Sequence, residues 1–178
     1  MPHIDLEPGV PGIRSAMEFR PETARPLLEL AETLLRNDNT LSRGERELIA
    51  AYVSNLNRCE FCHASHRAFA GAQLEAGTDL VDQVSADLAT APVSDKLRAL
   101  LQIAGKVVEG GLSVLPEDVG RARGAGATDV EIHDTVLIAA AFCMYNRYVD
   151  GLATWAPDDD AAYTAVAERI VTQGYVGR

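Results

Sequence analysis

Apolar residues recur along most of the chain every three to four positions, the period of an amphipathic helix. Ser42 and Glu45, and again Thr128 and Glu131, have the spacing of a capping box and mark two helix starts. Proline, glycine and asparagine clusters separate the remaining periodic segments. The pattern predicts no strand, and it predicts helices over about 21–36, 42–56, 59–74, 77–88, 94–109, 116–124, 128–151 and 158–172.

These elements predict an all-α fold, a helical bundle that forms a single domain over residues 1–178. Sparse aromatics, at 6% of residues, favour close-packed helices over a β-sandwich. Residues 1–13 are rich in proline and glycine and are predicted to form an extended arm over the domain or a neighbouring subunit.

Two segments of the chain resemble each other weakly. Residues 42–51 and 128–140 both begin with a capping box and continue into a Leu-Ile-Ala-Ala run. This indicates a duplicated helical hairpin in which only one copy keeps the chemistry. The alternative is that two capped helices rich in alanine and leucine are alike by chance.

Charge and hydropathy narrow the function classes. The net charge of -10 argues against a nucleic-acid partner, which requires a basic surface, and against attraction to anionic membranes. No apolar run reaches the roughly 20 residues of a membrane span. The N-terminus lacks the pattern of a signal peptide, so we expect a cytoplasmic location.

The strongest chemical signal is the run from Asn57 to His66, which contains Cys59, Cys62, His63 and His66. At about 100° per residue, these four side chains fall within one helix face. In the cytoplasm a Cys-x-x-Cys pair is more often redox-active or metal-binding than a permanent disulfide.

The spacing favours a proton relay beside a dithiol. Cys62 and His66 are one helical turn apart, so the imidazole can take a thiol proton. Glu47, on a small-residue face of the preceding helix, can fix the tautomer of His66. Cys59 is predicted in the first helical turn, where the helix dipole stabilises a thiolate.

A two-cysteine peroxidase cycle follows from this arrangement, in which a sulfenic acid condenses with the second thiol and an external dithiol reduces the disulfide. Which cysteine attacks first stays open. Phe61 and His63 are candidates for the rim of the site. The alternatives are a Cys₂His₂ zinc site, a pair of buried structural cysteines, and a non-enzymatic redox sensor or a disulfide reductase for a partner protein.

Glu47 followed by Cys59-x-x-Cys62-x-x-x-His66 resembles the alkylhydroperoxidase D-like (AhpD-like) motif of the carboxymuconolactone decarboxylase superfamily. The segments 45–54 and 146–152 are similar to its peroxidase-related branch. The resemblance implies an all-helical homo-oligomer, often a trimer or hexamer and otherwise a dimer, with peroxidase or disulfide reductase activity.

The resemblance also implies catalytic roles for Glu47, Cys59, Cys62 and His66. We expect no bound cofactor or metal. Reducing power is expected from a lipoamide-type or other dithiol, sometimes through a peroxiredoxin. The chain departs from the best-known pattern in having Phe61, not histidine, before the second cysteine. Decarboxylating members of the superfamily lack the cysteine pair, which argues against decarboxylation.

Overall fold

The computed structural model describes residues 1–177, which contain helices and no strand, so the predicted all-α fold is confirmed. The α-helices of this part of the chain are α1 (Ile13–Phe19), α2 (Pro21–Arg36), α3 (Arg43–Leu56), α4 (Glu60–Gly71), α5 (Gly77–Ala86), α6 (Asp95–Glu109), α7 (Pro116–Gly124), α8 (Asp129–Gly151) and α9 (Asp160–Gln173). A 3₁₀ turn, Gly111–Ser113, separates α6 from α7. No helix within residues 1–177 is both long and apolar enough to cross a membrane.

Helix α3 lies at the centre of the molecule, with α2, α4, α5, α6 and α8 packed around it. Ala50 and Ala51 on α3 are fully buried, and their small side chains let neighbouring helices approach closely. Its capping box forms as the sequence predicts: Glu45 N–H donates to Ser42 Oγ, and Ser42 N–H donates to the Glu45 carboxylate. Helix α4 covers part of the buried face of α3, so polar groups on that face lie beneath α4.

The two ends of the chain pack on the helices around α3. Helix α9 packs against α4, and α1 packs against α2 and α8. The N-terminal arm lies over its own chain, because His3 N–H donates to Leu152 O and Gly12 N–H donates to Trp155 O. Helix α1, which the pattern did not predict, begins where the arm ends.

The duplication remains a prediction, but the two segments differ in one respect. The helix that begins after Thr128 continues without interruption for 23 residues to Gly151. The segment that begins after Ser42 is instead broken between α3 and α4 by Asn57, Arg58 and Cys59. The first segment therefore contains a second helix start, the N-terminus of α4, whereas the second segment does not.

Candidate active site

A cavity of about 220 Å³ lies between α1, α2, α4, α8 and α9. Helix α4 contributes Cys62 and His66 to its wall, one turn apart as the spacing predicts. Most of the remaining wall is apolar and includes Ile13, Leu27, Phe61, Phe69, Phe142 and Val166. The arrangement places a thiol and an imidazole together in a water-poor site.

His66 and Glu47 form the contact that the sequence predicts. His66 Nδ1 lies 2.6 Å from Glu47 Oε2, and the Glu47 side chain is 1% exposed. The edge of one ring meets the face of the other between His66 and Phe142, with ring centroids 4.5 Å apart. These contacts fix the ring and engage Nδ1. The other ring nitrogen, Nε2, has no hydrogen-bond partner among residues 1–177 and is free for a group in the cavity.

Tyr175 completes the surroundings of the carboxylate, and sequence reasoning missed it. Its hydroxyl donates to Glu47 Oε1 over 2.6 Å, and its ring lies nearly parallel to that of His66 at 6.4 Å. Burial, together with the neighbouring Glu47 charge, raises the pKa of Tyr175 well above its usual range, so the hydroxyl keeps its proton. No sequence signal could place this residue, because it follows the last helix and is 128 positions from Glu47.

Cys59 differs from the prediction in position and in acidity. It is the N-cap of α4 and not part of its first turn, and it does not line the cavity. Its thiol hydrogen-bonds to Cys62 and is buried, and both effects raise its pKa far above the usual value; Asp150 contributes further. Burial and the adjacent Cys62 thus oppose ionisation of the Cys59 thiol, against the effect that the sequence predicts for the helix dipole.

The turn that carries Cys59 is held by an amide network. Asn57 Nδ2 donates to Asn146 Oδ1 over 2.8 Å, and Asn146 Nδ2 donates to Ser54 Oγ over 3.0 Å. Cys59 N–H donates to Ser54 O. Arg58 has a φ of 60°, a left-handed conformation that costs a residue with a side chain about 1–3 kcal/mol. The surrounding contacts thus hold the cysteine in a strained turn.

The two candidate rim residues, Phe61 and His63, have different surroundings. The ring of Phe61 forms part of the cavity wall and lies against Gly12, where a glycine is required because any side chain would collide with the ring. His63 is not among the residues that line the cavity. Its Nδ1 lies 3.1 Å from Ala51 O on α3. The structure therefore gives His63 a contact between helices α3 and α4.

The third cysteine of the chain, Cys143, does not line the cavity. Cys143 is half-buried on α8, 3.5 Å from Asn57 Nδ2, and outside the cavity. Within residues 1–177, no three histidine, cysteine, aspartate or glutamate side chains come together in a way that could hold a metal ion.

Residues 21–104, which include Glu47, both cysteines of the pair and His66, match the carboxymuconolactone decarboxylase family. No curated protein matches the chain.

Two solved structures are similar over most of their length. The first is the alkylhydroperoxidase AhpD core structure of an uncharacterized peroxidase-related protein from Ralstonia eutropha JMP134. Its TM-score is 0.78 at 27% identity, covering 89% of this chain and 81% of that chain. The second is an uncharacterized peroxidase-related protein from Silicibacter sp. TM1040. Its TM-score is 0.77 at 27% identity, covering 87% and 79%.

Proposed function

Because the chain belongs to the AhpD-like branch of the carboxymuconolactone decarboxylase superfamily, we propose that it is a thiol-dependent peroxidase. It reduces organic hydroperoxides through a dithiol/disulfide cycle of Cys59 and Cys62. The observation that carries the proposal is the shared cavity wall of Cys62 and His66, with Glu47 bound to the far side of the imidazole. A nucleophile, its base and the group that orients the base are the parts of an activated thiol.

In the oxidative step, Cys62 is the attacking residue. His66 Nε2 accepts the thiol proton, and the thiolate attacks the terminal oxygen of the hydroperoxide. The O–O bond breaks, the alcohol leaves with the proton returned by the imidazolium, and Cys62 becomes a sulfenic acid. Cys59 is unsuited to this step, since it does not line the cavity and its pKa is raised by its hydrogen bond to Cys62 and by burial.

Cys59 then acts as the resolving residue. Its sulfur attacks the sulfenic sulfur of Cys62, a disulfide forms, and water leaves. A dithiol of the lipoamide type or another dithiol, or a peroxiredoxin partner, returns both thiols by exchange. The packing of Cys59 and Cys62 in one buried cluster supports this role, because the resolving thiol lies close to its target.

The character of the cavity supports an organic hydroperoxide over hydrogen peroxide. Apolar side chains from α1, α2, α4, α8 and α9 line the cavity to which Cys62 contributes. An alkyl or aryl substituent gains free energy by leaving water for such a wall, whereas hydrogen peroxide gains little. Homo-oligomeric assembly, the cytoplasmic location and the identity of the reductant stay predictions.

The test is hydroperoxide consumption with a dithiol as reductant. Cys62→Ser is expected to abolish turnover. His66→Ala is expected to lower kcat by about 10²–10⁴-fold, the usual contribution of a general base. Cys143→Ser is the matched control, because that thiol lies outside the cavity, and it is expected to keep full turnover.

Two outcomes would count against the proposal. Full turnover in both Cys62→Ser and His66→Ala would show that the site lies elsewhere. Consumption of a single equivalent of hydroperoxide, with no further turnover in excess dithiol, would favour the redox-sensor alternative.

A further inference from the structure

The C-terminal residues after α9 contribute to the site. Tyr175 donates its hydroxyl to Glu47 Oε1 while His66 Nδ1 approaches Oε2, and both contacts measure 2.6 Å. Each carboxylate oxygen thus has one hydrogen-bond partner among residues 1–177. We propose that Tyr175 is a positioning residue of the relay, holding the Glu47 carboxylate in the orientation that aligns His66 with Cys62. This proposal rests on the proposed function only where it concerns the effect of Tyr175 on turnover.

The backbone around Tyr175 is fixed independently of its side chain. Tyr175 N–H donates to Glu32 Oε2 over 2.6 Å, and the Arg36 guanidinium donates to Ile170 O at the end of α9. Gly174 has a φ of 80° and lies against Glu32 and Arg36, so a side chain there would be strained and would collide. Helix α2 therefore anchors the segment that delivers the phenol.

The hydroxyl has a defined chemical effect. A buried carboxylate that accepts a hydrogen bond shares its charge with the donor and becomes a weaker acceptor for its other partner. Without the Tyr175 hydroxyl, Oε1 would be a buried acceptor with no donor among residues 1–177. The carboxylate would then hold a protonated His66 more strongly, and the imidazole would need a higher pH to become the neutral base that takes the thiol proton.

Other ionisable groups line the same cavity as His66, and the test leaves them unchanged. They are Arg14 on α1, Cys62 on α4, Tyr145 on α8, and Tyr163 and Arg169 on α9. Tyr175→Phe removes one hydroxyl and no charge, and it keeps the ring that stacks on His66. A change in the titration of His66 therefore reports the lost hydrogen bond.

The experiment follows the imidazole titration of His66 by NMR in Tyr175→Phe. The midpoint is expected to rise by about one pH unit, given the strength of hydrogen bonds to charged groups. Single-turnover oxidation of Cys62 by an organic hydroperoxide near neutral pH is expected to slow about tenfold. Tyr148→Phe, which loses a tyrosine hydroxyl contact with Ala16 O away from the cavity, is expected to change neither value.

Glu32→Ala is a second variant that keeps every atom of Tyr175. Losing this negative charge alone would lower the His66 midpoint, whereas releasing the Tyr175 backbone would raise it. A rise therefore supports the positioning role. An unchanged or lower midpoint in folded Tyr175→Phe would overturn the proposal; if that variant did not fold, an unchanged or lower midpoint in Glu32→Ala would do so. Absence of peroxide turnover in the unaltered protein would refute the proposed function alone, because the titration does not depend on it.

Discussion

At the scale of single residues, the two cysteines of the pair have different surroundings although only two residues separate them. Cys62 reaches the cavity, while Cys59 is 1% exposed and caps α4. We therefore expect the two thiols to have different roles, one attacking and one resolving, because thiol reactivity depends on both access and thiolate formation. The sequence left the order of attack open, since neither of these properties can be read from Cys-x-x-Cys spacing.

Differential alkylation tests this asymmetry without any peroxide. With iodoacetamide at pH 8, Cys62 is expected to react at least about tenfold faster than Cys59. Raising the pH from 7 to 9 should leave Cys59 unlabelled: its hydrogen bond to Cys62 and its burial place its pKa well above this range, so it stays a thiol throughout. Fragment mass spectra of the tryptic peptide 59–67 distinguish the two sites.

Cys143→Ser is the suitable background for this measurement, because the half-buried Cys143 would otherwise consume reagent. Faster labelling of Cys59 than of Cys62 would reverse the assigned roles of attacking and resolving thiol.

At the scale of elements, the break between α3 and α4 depends on α8. Asn146 on α8 is 1% exposed and connects Asn57 to Ser54, across the turn that contains Arg58. Two residues of the segment 146–152 therefore act on this turn: Asn146 supports it, and Asp150 helps to raise the pKa of the Cys59 thiol.

Asn146→Ala is expected to lower the free energy of unfolding by about 1–3 kcal/mol, because it leaves buried polar groups without partners. It is also expected to increase the alkylation rate of Cys59, since the turn loses its support. Urea unfolding and the peptide assay measure these two effects.

Asn55→Ala is the matched control. Asn55 lies near the end of the same helix α3, and its side-chain amide donates to Ser85 O over 3.3 Å. It is expected to leave Cys59 alkylation unchanged. An equal rise in the Asn55→Ala and Asn146→Ala variants would indicate general loosening of α3 and contradict a specific role for the amide network.

Local sequence signals predicted most helices. They failed where contacts between residues distant in sequence determine the structure. The capping boxes at Ser42 and Thr128 and the prolines at 21 and 116 place helix starts within a residue or two. Helix α1 was missed because its seven residues follow an arm rich in proline and glycine and are held by packing on α2 and α8. The Glu47–His66 contact was predictable because both residues lie on adjacent helices, whereas Tyr175 comes from the opposite end of the chain.

At the scale of the whole molecule, the buried carboxylate of Glu131 connects segments that are far apart in the sequence. Glu131 on α8 accepts hydrogen bonds from Thr40, before α3, and from Lys96 on α6, and its side chain is 1% exposed. It also closes the capping box by accepting Thr128 N–H. Burial alone would raise the pKa of Glu131, but these donors together lower it to about 2.

This pKa predicts how stability depends on pH. Because the folded value lies below the ordinary value of 4.5, the stabilisation is fully present above about pH 4.5 and is lost as the pH falls through about 2. The interval corresponds to about 3 kcal/mol. Urea unfolding between pH 7 and pH 2.5 is therefore expected to show a steep acid loss that Glu131→Gln reduces. Glu131→Gln is also expected to be less stable than the unaltered protein at pH 7, since Lys96 loses its charged partner.

Glu45→Gln is the matched control, because Glu45 occupies the same third position of a capping box on α3 but pairs with no lysine or arginine among residues 1–177. Glutamine can still accept at that position, so the variant is expected to keep the acid dependence of the unaltered protein. If Glu131→Gln and Glu45→Gln gave the same curve, the acid sensitivity would belong to helix capping in general and not to the buried Glu131–Lys96 pair. A difference confined to the range from about pH 4.5 down to about pH 2 would assign it to that pair.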